Sequence, residues 1–336
     1  MTLSRQYALK SRPRGRPDGD CWEYRERALP ALAEGEVRVR VDFVSLDPAM
    51  RGWMDDRESY APPVGIGEVM RALGVGEVLE SRAAGFAAGD AVAGPLGVQD
   101  HAVIDADAVH GVDLSIAPPE RYLGALGMTG MTAWFGLLDV GRPEKGDTVL
   151  VSATSGAVGS VVAQIARRHG CRVVGIAGGE AKCRYLLDEL GLDAAIDYRS
   201  TEESIGAAIR RTCPDGVDVY FDNVGGETLD AALGHLAMRA RIVICGAISQ
   251  YNARASIDGP SNYLALLVKR ARMEGMLVSD YAERYGEAVP TLAAWLADGS
   301  LKAREHVIEG LERFPEAFLM LFDGDNHGKL VLKVDR

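Results

Sequence analysis

The sequence is poor in the residue patterns that build disulfide frameworks and metal centres. Its five cysteines are scattered without a C-x-x-C pair, so we expect reduced thiols in a cytoplasmic protein. Within residues 1–125 only Cys21, His101 and His110 resemble zinc ligands, and the other histidines are isolated along the chain. A catalytic zinc needs three protein ligands in one place, so the sequence predicts a metal-free site.

Long apolar runs and an excess of positive charge are also missing. No stretch reaches the ~18 uncharged apolar residues of a membrane helix, and the N-terminal segment has no apolar run of signal-peptide type. The net charge of −11 argues against a nucleic acid as the main partner, because such partners select a basic face. We therefore expect neither a membrane nor a nucleic-acid partner.

The chain of 336 residues is long enough for two domains. Its first third is rich in turns and short strands, such as the alternating segment Glu36–Val44, and a last strand is predicted at Lys329–Val334. Between them, short apolar strands alternate with amphipathic helices, which indicates a doubly wound parallel sheet. We predict a β-rich domain over residues 1–125, completed by 295–336, and a nucleotide-binding domain over 126–294.

Two helix boundaries are predicted from local signals. Ser200 and Glu203 have the spacing of a capping box that starts a helix running to about Arg211. A second helix is predicted over Tyr281–Asp298, where Gly299 ends it.

The firmest motif is the turn between a strand at Thr148–Ser152 and a helix at Ala157–His169. Glycines at 156 and 159 would let the backbone approach a pyrophosphate at the helix N-terminus. The first glycine of the usual G-x-G-x-x-G is Ala153, so a tight turn with glycines for packing alone is the alternative. The strand before the turn and the strand after the helix favour nucleotide binding.

The end of the second strand favours NADP over NAD. An NAD site normally has an acidic residue there for the ribose 2′-OH, whereas this chain has Ile176-Ala-Gly-Gly179. Lys182 and the pair Tyr198-Arg199 follow, and a cation beside small residues suits a 2′-phosphate. The alternative for Lys182 is a solvated lysine on a helix face.

Two further strands end in glycine-containing loops on the same predicted edge of the sheet. Asp222-Asn-Val-Gly-Gly226 follows one, and Gly246-Ala-Ile-Ser-Gln-Tyr-Asn252 follows the other. Glycines leave space above the backbone for a flat nicotinamide ring, and the Asn223 side chain could hydrogen-bond to a ribose or a carboxamide. Ordinary turns between buried strands are the alternative.

Several motifs together resemble zinc-independent members of the medium-chain dehydrogenase/reductase superfamily. The similarity is greatest to the prostaglandin reductase/leukotriene B4 12-hydroxydehydrogenase group and its bacterial curcumin-reductase-like branch. The motifs span almost the whole chain: Ser45-Leu-Asp-Pro-Ala-Met-Arg51, Thr132-Ala-Trp-Phe-Gly-Leu-Leu138, Ser155-Gly-Ala-Val-Gly-Ser160, Tyr220-Phe-Asp-Asn-Val-Gly-Gly226, Ile244-Cys-Gly-Ala-Ile-Ser-Gln-Tyr-Asn252, Arg272-Met-Glu-Gly275 and Gly328-Lys-Leu-Val331.

The resemblance implies an α/β fold, with a Rossmann doubly wound parallel sheet plus a GroES-like β-rich catalytic domain, and a homodimer. It implies NADP(H) as cofactor and a set of residues that bind it: Ala157, Val158, Gly159, Ser160, Lys182, Tyr198, Asn223, Cys245, Gly246, Ala247, Ile248, Ser249, Gln250, Tyr251, Met276, Leu277, Val278 and Asn326. Tyr60 and Tyr251 match tyrosines expected near the substrate carbonyl.

Two departures from the family pattern concern the substrate. Ala49 stands where the family usually has an aromatic residue before Met50, and the aromatic expected near Val98 is missing. Both changes could widen or reshape the substrate pocket, so the substrate itself is not transferred from the family.

The leading hypothesis is NADPH-dependent reduction of the C=C bond of an α,β-unsaturated ketone or aldehyde. Tyr251 is the candidate catalytic residue, since a hydrogen bond to the carbonyl oxygen strengthens as charge develops there. Packing against the cofactor is the alternative for Tyr251, and a mobile exposed aromatic is the alternative for Tyr60. Quinone reduction with the same cofactor, and a non-catalytic NADPH-binding module, remain open.

Overall fold

The computed structural model describes residues 3–255, 257 and 259–335. The chain forms two compact units, of which one runs to Gly124 and resumes at Glu305, while the other spans Ala125–Arg304. Each unit has its own sheet and its own buried core.

The first unit is built mainly from strands. Its elements are β1 (Leu3–Leu9), β2 (Trp22–Ala28), β3 (Glu36–Ser45), α1 (Ala49–Trp53), β4 (Gly74–Ser81), β5 (Ala91–Gly94), β6 (His101–Asp105), β7 (His110–Gly111), β14 (Glu305–Glu309), α9 (Phe314–Asp323) and β15 (Lys329–Lys333). One sheet has the order β14-β15-β3-β4-β5-β7, with β6 also on β3, and β1 pairs with β2 separately. The alternating Val37, Val39 and Val41 of β3 are buried in the core, as their period of two predicts.

The final strand joins this unit. β15 runs antiparallel to β3, with Val331 opposite Ser45, so the C-terminal strand lies in the same sheet as the N-terminal strands.

The second unit alternates strands and helices along the chain. Its elements are α2 (Met128–Phe135), β8 (Thr148–Val151), α3 (Ala157–Arg168), β9 (Arg172–Ala177), α4 (Glu180–Arg184), β10 (Ala194–Asp197), α5 (Ile205–Thr212), β11 (Val217–Asp222), α6 (Gly226–Leu233), β12 (Leu236–Ile244), α7 (Ala265–Lys269), β13 (Arg272–Gly275) and α8 (Tyr285–Ala297). Short π-helical turns extend α2 and α4 at Gly136–Gly141 and Tyr185–Glu189.

The six strands of this sheet are all parallel and have the order β10-β9-β8-β11-β12-β13. Counted from β8, this is the order 3-2-1-4-5-6 of a dinucleotide-binding sheet, with the reversal between β8 and β11. The predicted fold class is thereby confirmed for this unit. All six carboxyl ends lie on one edge of the sheet, where open α/β folds bind ligands.

Two predicted helix starts are wrong. α5 begins at Ile205, and Ser204 caps it by accepting a hydrogen bond from the Ala207 N–H at 3.3 Å. Glu203 lies before that cap and pairs with Arg211, so Ser200 and Glu203 form no capping box. α8 begins at Tyr285 because the preceding segment, Val278–Arg284, is a 3-10 helix.

Candidate active site

The loops that follow β8 and β11 are joined at the carboxyl edge of the parallel sheet. The Asn223 side-chain amide donates to the Ser152 carbonyl at 2.7 Å, and the Asn223 backbone N–H donates to the Ser152 hydroxyl at 2.8 Å. Asn223 therefore lies beside the end of β8, at the reversal of strand order where a dinucleotide crosses such a sheet.

The turn after β8 has the backbone of a glycine-rich phosphate loop although it starts with alanine. Ala153 has a φ of +48°, in the left-handed region that usually favours glycine. Its carbonyl accepts the Gly156 N–H at 2.9 Å, and a Cβ built on Gly159 would lie 2.5 Å from the same oxygen. Gly159 is therefore required by close packing of α3 against the turn.

The first turn of α3 presents backbone donors to this edge. Gly156 precedes the helix with extended backbone, and no described side chain caps it. The predicted residues Ala157, Val158, Gly159 and Ser160 form this first turn. Helix N-termini leave backbone N–H groups without partners inside the helix and carry partial positive charge, so they suit a pyrophosphate.

Thr154 fixes the turn to the next strand. The side chain is fully buried, and its hydroxyl donates to the Val151 carbonyl at 2.5 Å and accepts the Ile176 N–H at 3.0 Å. The residue thereby bridges the ends of β8 and β9. The glycine pattern of the motif contains no signal for this contact.

Lys182 and Tyr198 lie near the end of β9. The Tyr198 ring lies over Gly178, where an added Cβ would be 2.8 Å from the ring, and Tyr198 N–H donates to the Ala177 carbonyl at 3.1 Å. Lys182 is in α4 and only 8% exposed. It is therefore not the solvated helix-face lysine that the sequence left as an alternative.

A carboxylate from the neighbouring strand β10 also lies at the end of β9, and the sequence motifs did not predict it. The Asp197 side chain at the end of β10 accepts the N–H groups of Gly179 at 2.7 Å and Arg199 at 2.9 Å. Since it is engaged by two backbone donors of the loops, its charge is partly compensated locally. The acidic residue that marks an NAD site stands at the end of the second strand, which is β9 in this sheet. Asp197 stands on β10, so it is not that residue.

A cavity of about 370 Å³ continues from Tyr198 along the same edge. Apolar side chains such as Ile196 and Ile205 line it together with four carboxylates, those of Asp197, Glu202, Glu203 and Glu227. The volume falls within the range of ligand pockets. Among its lining residues, only Tyr198 was predicted from the sequence to bind the cofactor. The other lining residues come from the end of β10 and from the starts of α5 and α6, which are distant in sequence and meet only in the folded unit.

Asp222 organises the neighbouring loop from a fully buried position. Its carboxylate accepts hydrogen bonds from the Tyr220 and Ser152 hydroxyls at 2.7 and 3.1 Å and from the N–H groups of Val224 and Gly225 at 3.0 Å. Burial, with the adjacent Asp222 charge, raises the pKa of Tyr220 well above its usual range. Tyr220 is therefore a constant donor to the carboxylate.

The loops after β11 and β12 hold each other. Ile248 N–H donates to the Asn223 carbonyl and Ser249 N–H to the Val224 carbonyl, both at 3.2 Å. The stretch that contains Cys245, Gly246, Ala247, Ile248, Ser249, Gln250 and Tyr251 is thus fixed beside Asn223. The Tyr251 hydroxyl accepts the Ala247 N–H at 3.1 Å and lies 3.0 Å from a Cβ built on Gly246.

Comparison with known proteins gives the family of this fold and site. Residues 5–112 match the family model described as the N-terminal domain of oxidoreductase, and residues 157–294 match that of the zinc-binding dehydrogenases. The chain is 40% identical to the NADPH-dependent curcumin reductase of Escherichia coli (strain K12), over 98% of this chain and 97% of that protein. The chain belongs to the medium-chain dehydrogenase/reductase superfamily. Its similarity to the curcumin- and prostaglandin-reductase branch, predicted from the motifs, is confirmed.

Two other relatives cover nearly the same length. The NADP(+)-dependent 2-alkenal reductase of Nicotiana tabacum is 39% identical over 99% of this chain and 98% of its own. The crystal structure of CurA from Vibrio vulnificus in complex with NADPH superimposes with a TM-score of 0.92 and 43% identity, covering 99% of both chains. The two-domain α/β fold implied by the motifs is thereby confirmed.

The segment after β13 lies next to the end of β12. Met276 N–H donates to the Ile244 carbonyl at 3.0 Å, and the Tyr285 hydroxyl donates to the Val278 carbonyl at 3.4 Å. Met276, Leu277 and Val278 therefore continue the row of strand-end loops that contains Asn223 and Tyr251. Their role in cofactor binding stays a prediction.

Tyr60 and Asn326 belong to the other unit. The Tyr60 hydroxyl accepts the indole N–H of Trp53 at 3.2 Å, and the side chain is 59% exposed. The Asn326 side-chain amide donates to the Gly328 carbonyl at 2.9 Å. Their assignment to substrate and cofactor stays a prediction.

The cysteines are free thiols. Burial raises the pKa of Cys245, in the loop after β12, to about 12. It also raises the pKa values of Cys21, Cys171 and Cys183 to about 11. These residues are therefore neutral at physiological pH, whereas a metal ligand or a nucleophile would be a thiolate.

Within the described residues, no three His, Cys, Asp or Glu side chains come together as a metal site. In the same part of the chain, every helix is too short or too polar to cross a lipid bilayer.

Proposed function

We propose that this protein is an NADPH-dependent reductase of the C=C bond of α,β-unsaturated ketones and aldehydes. The observation that carries the proposal is the placement, along one edge of the sheet, of the α3 N-terminus, of Lys182 and Tyr198 near the end of β9, and of the loops that contain Asn223 and Tyr251. Relatives of nearly the same length are named as NADPH-dependent curcumin reductase and NADP(+)-dependent 2-alkenal reductase.

The residues of this edge fit NADP(H). The first turn of α3 supplies backbone donors for the pyrophosphate, and the glycines at 156 and 159 allow the close approach. Lys182, with Tyr198 beside Gly178, holds the 2′-phosphate. Asn223, Cys245–Tyr251 and Met276–Val278 lie along the nicotinamide half, and Asn326 is a further proposed cofactor residue.

NADPH, when bound, supplies the hydride for the β-carbon and is oxidised to NADP⁺, while water supplies the proton for the α-carbon. Negative charge then develops on the carbonyl oxygen, so a donor aimed at that oxygen acts mainly in the transition state. Tyr251 is that donor. Its oxygen accepts the Ala247 N–H, and a hydroxyl that accepts one hydrogen bond becomes a stronger donor in another.

The deciding experiment supplies NADPH with a panel of enones, 2-alkenals and quinones, and follows both NADPH consumption and the organic product. The proposal expects a saturated ketone or aldehyde in a 1:1 ratio with NADPH consumed. Consumption with quinones alone would make the protein a quinone reductase. Tight NADPH binding without turnover of any substrate would make it a non-catalytic binding module.

We also propose that the protein is a homodimer. β13 is the last strand of the parallel sheet, so one of its sides has no neighbour among the described strands. The adjacent segment exposes large apolar side chains: Tyr263 at 58%, Leu264 at 58%, Leu267 at 75% and Val268 at 62%. An unpaired strand edge beside apolar surface favours pairing with a second copy.

We further propose a cytoplasmic location. The cysteines are free thiols with raised pKa values, and reduced cysteines are typical of that compartment.

A further inference from the structure

Residues 276–284, here called the strap, follow β13 and pack against the end of α2 within the second unit. The backbone N–H of Met276 donates to the Ile244 carbonyl at the end of β12, at 3.0 Å. The Met276 side chain reaches the residue directly after α2, since it lies 3.6 Å from a Cβ built on Gly136. The start of the strap is thus held between the sheet edge and α2.

Aromatic rings fasten the middle of the strap. The Tyr281 ring stacks on Phe135, with ring centroids 4.8 Å apart and ring planes inclined by 17°. Phe135 is fully buried in α2, so it offers a fixed surface. Directly after the strap, the Tyr285 hydroxyl donates to the Val278 carbonyl at 3.4 Å. Aromatic pairs at such distances attract each other beyond the burial of their surface, so the stack holds the strap to α2.

Arg284 fastens the far end of the strap. Its guanidinium pairs with the Asp139 carboxylate, in the π-helical turn that extends α2, and with the two Glu287 oxygens at 2.8 and 2.9 Å. It also lies 5.0 Å from the centroid of the Phe135 ring and 5.7 Å from that of Tyr281. A guanidinium can hold two carboxylates and a ring face together, because it is planar and has five donors. Arg284 therefore ties the strap to both α2 and α8.

The strap begins at the place where the proposed function puts the nicotinamide. Residues 276–278 follow β13 at the carboxyl edge, beside the loop after β12 that contains Tyr251. The 2′-phosphate is assigned to the end of β9, and three strands, β8, β11 and β12, separate β9 from β13. A segment that is already fixed loses less conformational entropy on binding, so a fastened strap favours the nicotinamide half in particular.

We propose that Arg284 is a positioning residue, which clamps the strap to α2 and thereby holds residues 276–278 in the conformation that the nicotinamide half of NADPH requires. The inference rests on the placement of the nicotinamide in the proposed function. It adds to that placement a residue that lies outside the cofactor site.

The test measures by calorimetry the Kd of two ligands for the wild type and for Arg284→Met. NADPH reaches both halves of the site, whereas adenosine 2′,5′-bisphosphate carries the 2′-phosphate and has no nicotinamide. In the variant, we expect the Kd of NADPH to rise about 3- to 10-fold, the effect of one further side chain that must be ordered on binding. The Kd of adenosine 2′,5′-bisphosphate should stay nearly constant.

Three further variants test the other parts of the clamp. Asp139→Asn removes the carboxylate beside α2 and should weaken the binding of NADPH to a similar degree. Tyr281→Leu removes the ring stack and should also weaken it. Tyr281→Phe keeps the ring on Phe135 and should bind NADPH as tightly as the wild type.

Arg313→Met is the matched control. Arg313 lies in the other unit, ends a 3-10 helix directly before α9 and pairs with a glutamate three residues later, as Arg284 does before α8. Its side chain is 43% exposed, against 44% for Arg284. The control should leave the Kd values of both ligands unchanged.

An unchanged Kd of NADPH in folded Arg284→Met would overturn the clamp. An equal rise in the Kd of both ligands would also overturn it, since that result would show a loss of structure throughout the unit. Failure of the wild type to reduce any enone would instead reject the proposed reaction, and the comparison of the two Kd values would still decide the clamp.

Discussion

The Tyr251 hydroxyl accepts a hydrogen bond from the backbone N–H of Ala247, 3.1 Å away and four residues earlier in the same loop. The candidate catalytic group is therefore positioned by its own loop. That loop is held in turn by backbone bonds from Ile248 and Ser249 to the segment after β11.

Replacing Tyr251 with Phe should lower kcat with an enone by about 10²-fold, which is the usual cost of losing one donor to a developing oxyanion. KM for NADPH should change little, since the aromatic ring remains. Steady-state kinetics with the enone and with NADPH varied separately would measure both. Unchanged turnover in a folded variant would remove Tyr251 from the mechanism and leave packing as its role.

Replacing Lys182 with Ala should raise KM for NADPH at least tenfold and leave KM for NADH nearly unchanged, because only NADPH carries the 2′-phosphate. Arg184→Ala is the matched control, since Arg184 lies on the same helix with its side chain 65% exposed. Equal effects of Lys182→Ala on both cofactors would contradict the 2′-phosphate assignment. Because Lys182 is buried, thermal unfolding of the variant should be recorded alongside.

Ala153 holds a positive φ of 48° in the phosphate turn, which costs an L-residue about 1–2 kcal/mol. Ala153→Gly should relieve this cost, offset partly by the greater freedom of glycine in the unfolded chain, so we expect a net gain of up to ~1 kcal/mol. Ala153→Val should instead destabilise the protein, since a β-branched residue is strained there. Urea unfolding measures both variants, and a less stable glycine variant would contradict the strain argument.

Asp100 should make stability depend on acid pH. Burial raises its pKa, but hydrogen bonds from His101 and Arg5 outweigh burial and hold the pKa below the usual 3.8. The Asp100 carboxylate therefore binds a proton more readily in the unfolded chain than in the folded protein. The stabilisation is present above pH 3.8 and is lost as pH falls through the lower pKa of the folded state.

Asp100→Asn should accordingly lower the free energy of unfolding by about 1–3 kcal/mol at pH 7, and the gap to the wild type should narrow below pH 3.8. Urea titrations at several pH values would measure the gap. Asp56→Asn serves as control, because that carboxylate is 75% exposed and only loosely paired with Arg12 at 3.8 Å. If the difference in the free energy of unfolding stays constant with pH, the ionised form of Asp100 is not what stabilises the folded protein.

Leu267→Asp should convert the proposed homodimer to monomer, because it places a charge at the most exposed apolar side chain of the segment that precedes β13. Leu114→Asp, at a 49% exposed leucine in the other unit, should leave the oligomeric state unchanged. Sedimentation velocity distinguishes the outcomes. A wild-type monomer, or a dimer insensitive to Leu267→Asp, would reject this interface.

Much of the fold and part of the site were predictable because their signals are local. The strand–turn–helix around Ala153 and Gly159 depends on the spacing of apolar residues and on where the backbone needs glycine. Both are set within a few residues, so the sequence predicts them. The capping signal at Ser200 failed although it is also local. Ser204 offers an equally good hydroxyl, and pairing of Glu203 with Arg211, eight residues away, removed the second half of the box.

The sequence by itself determined the parallel α/β unit, the family and the residue types available to a phosphate-bearing cofactor, since each depends on spacing along the chain. Only the tertiary structure decided how those residues are held. Asp222 gathers donors from β8 and β11, Asp197 reaches the end of β9 from β10, and Thr154 joins β8 to β9. These contacts join strands that are adjacent in the sheet but distant in sequence. They therefore cannot be predicted from the spacing of residues along the chain. They exist because the folded sheet brings buried polar groups together and each must find a partner there.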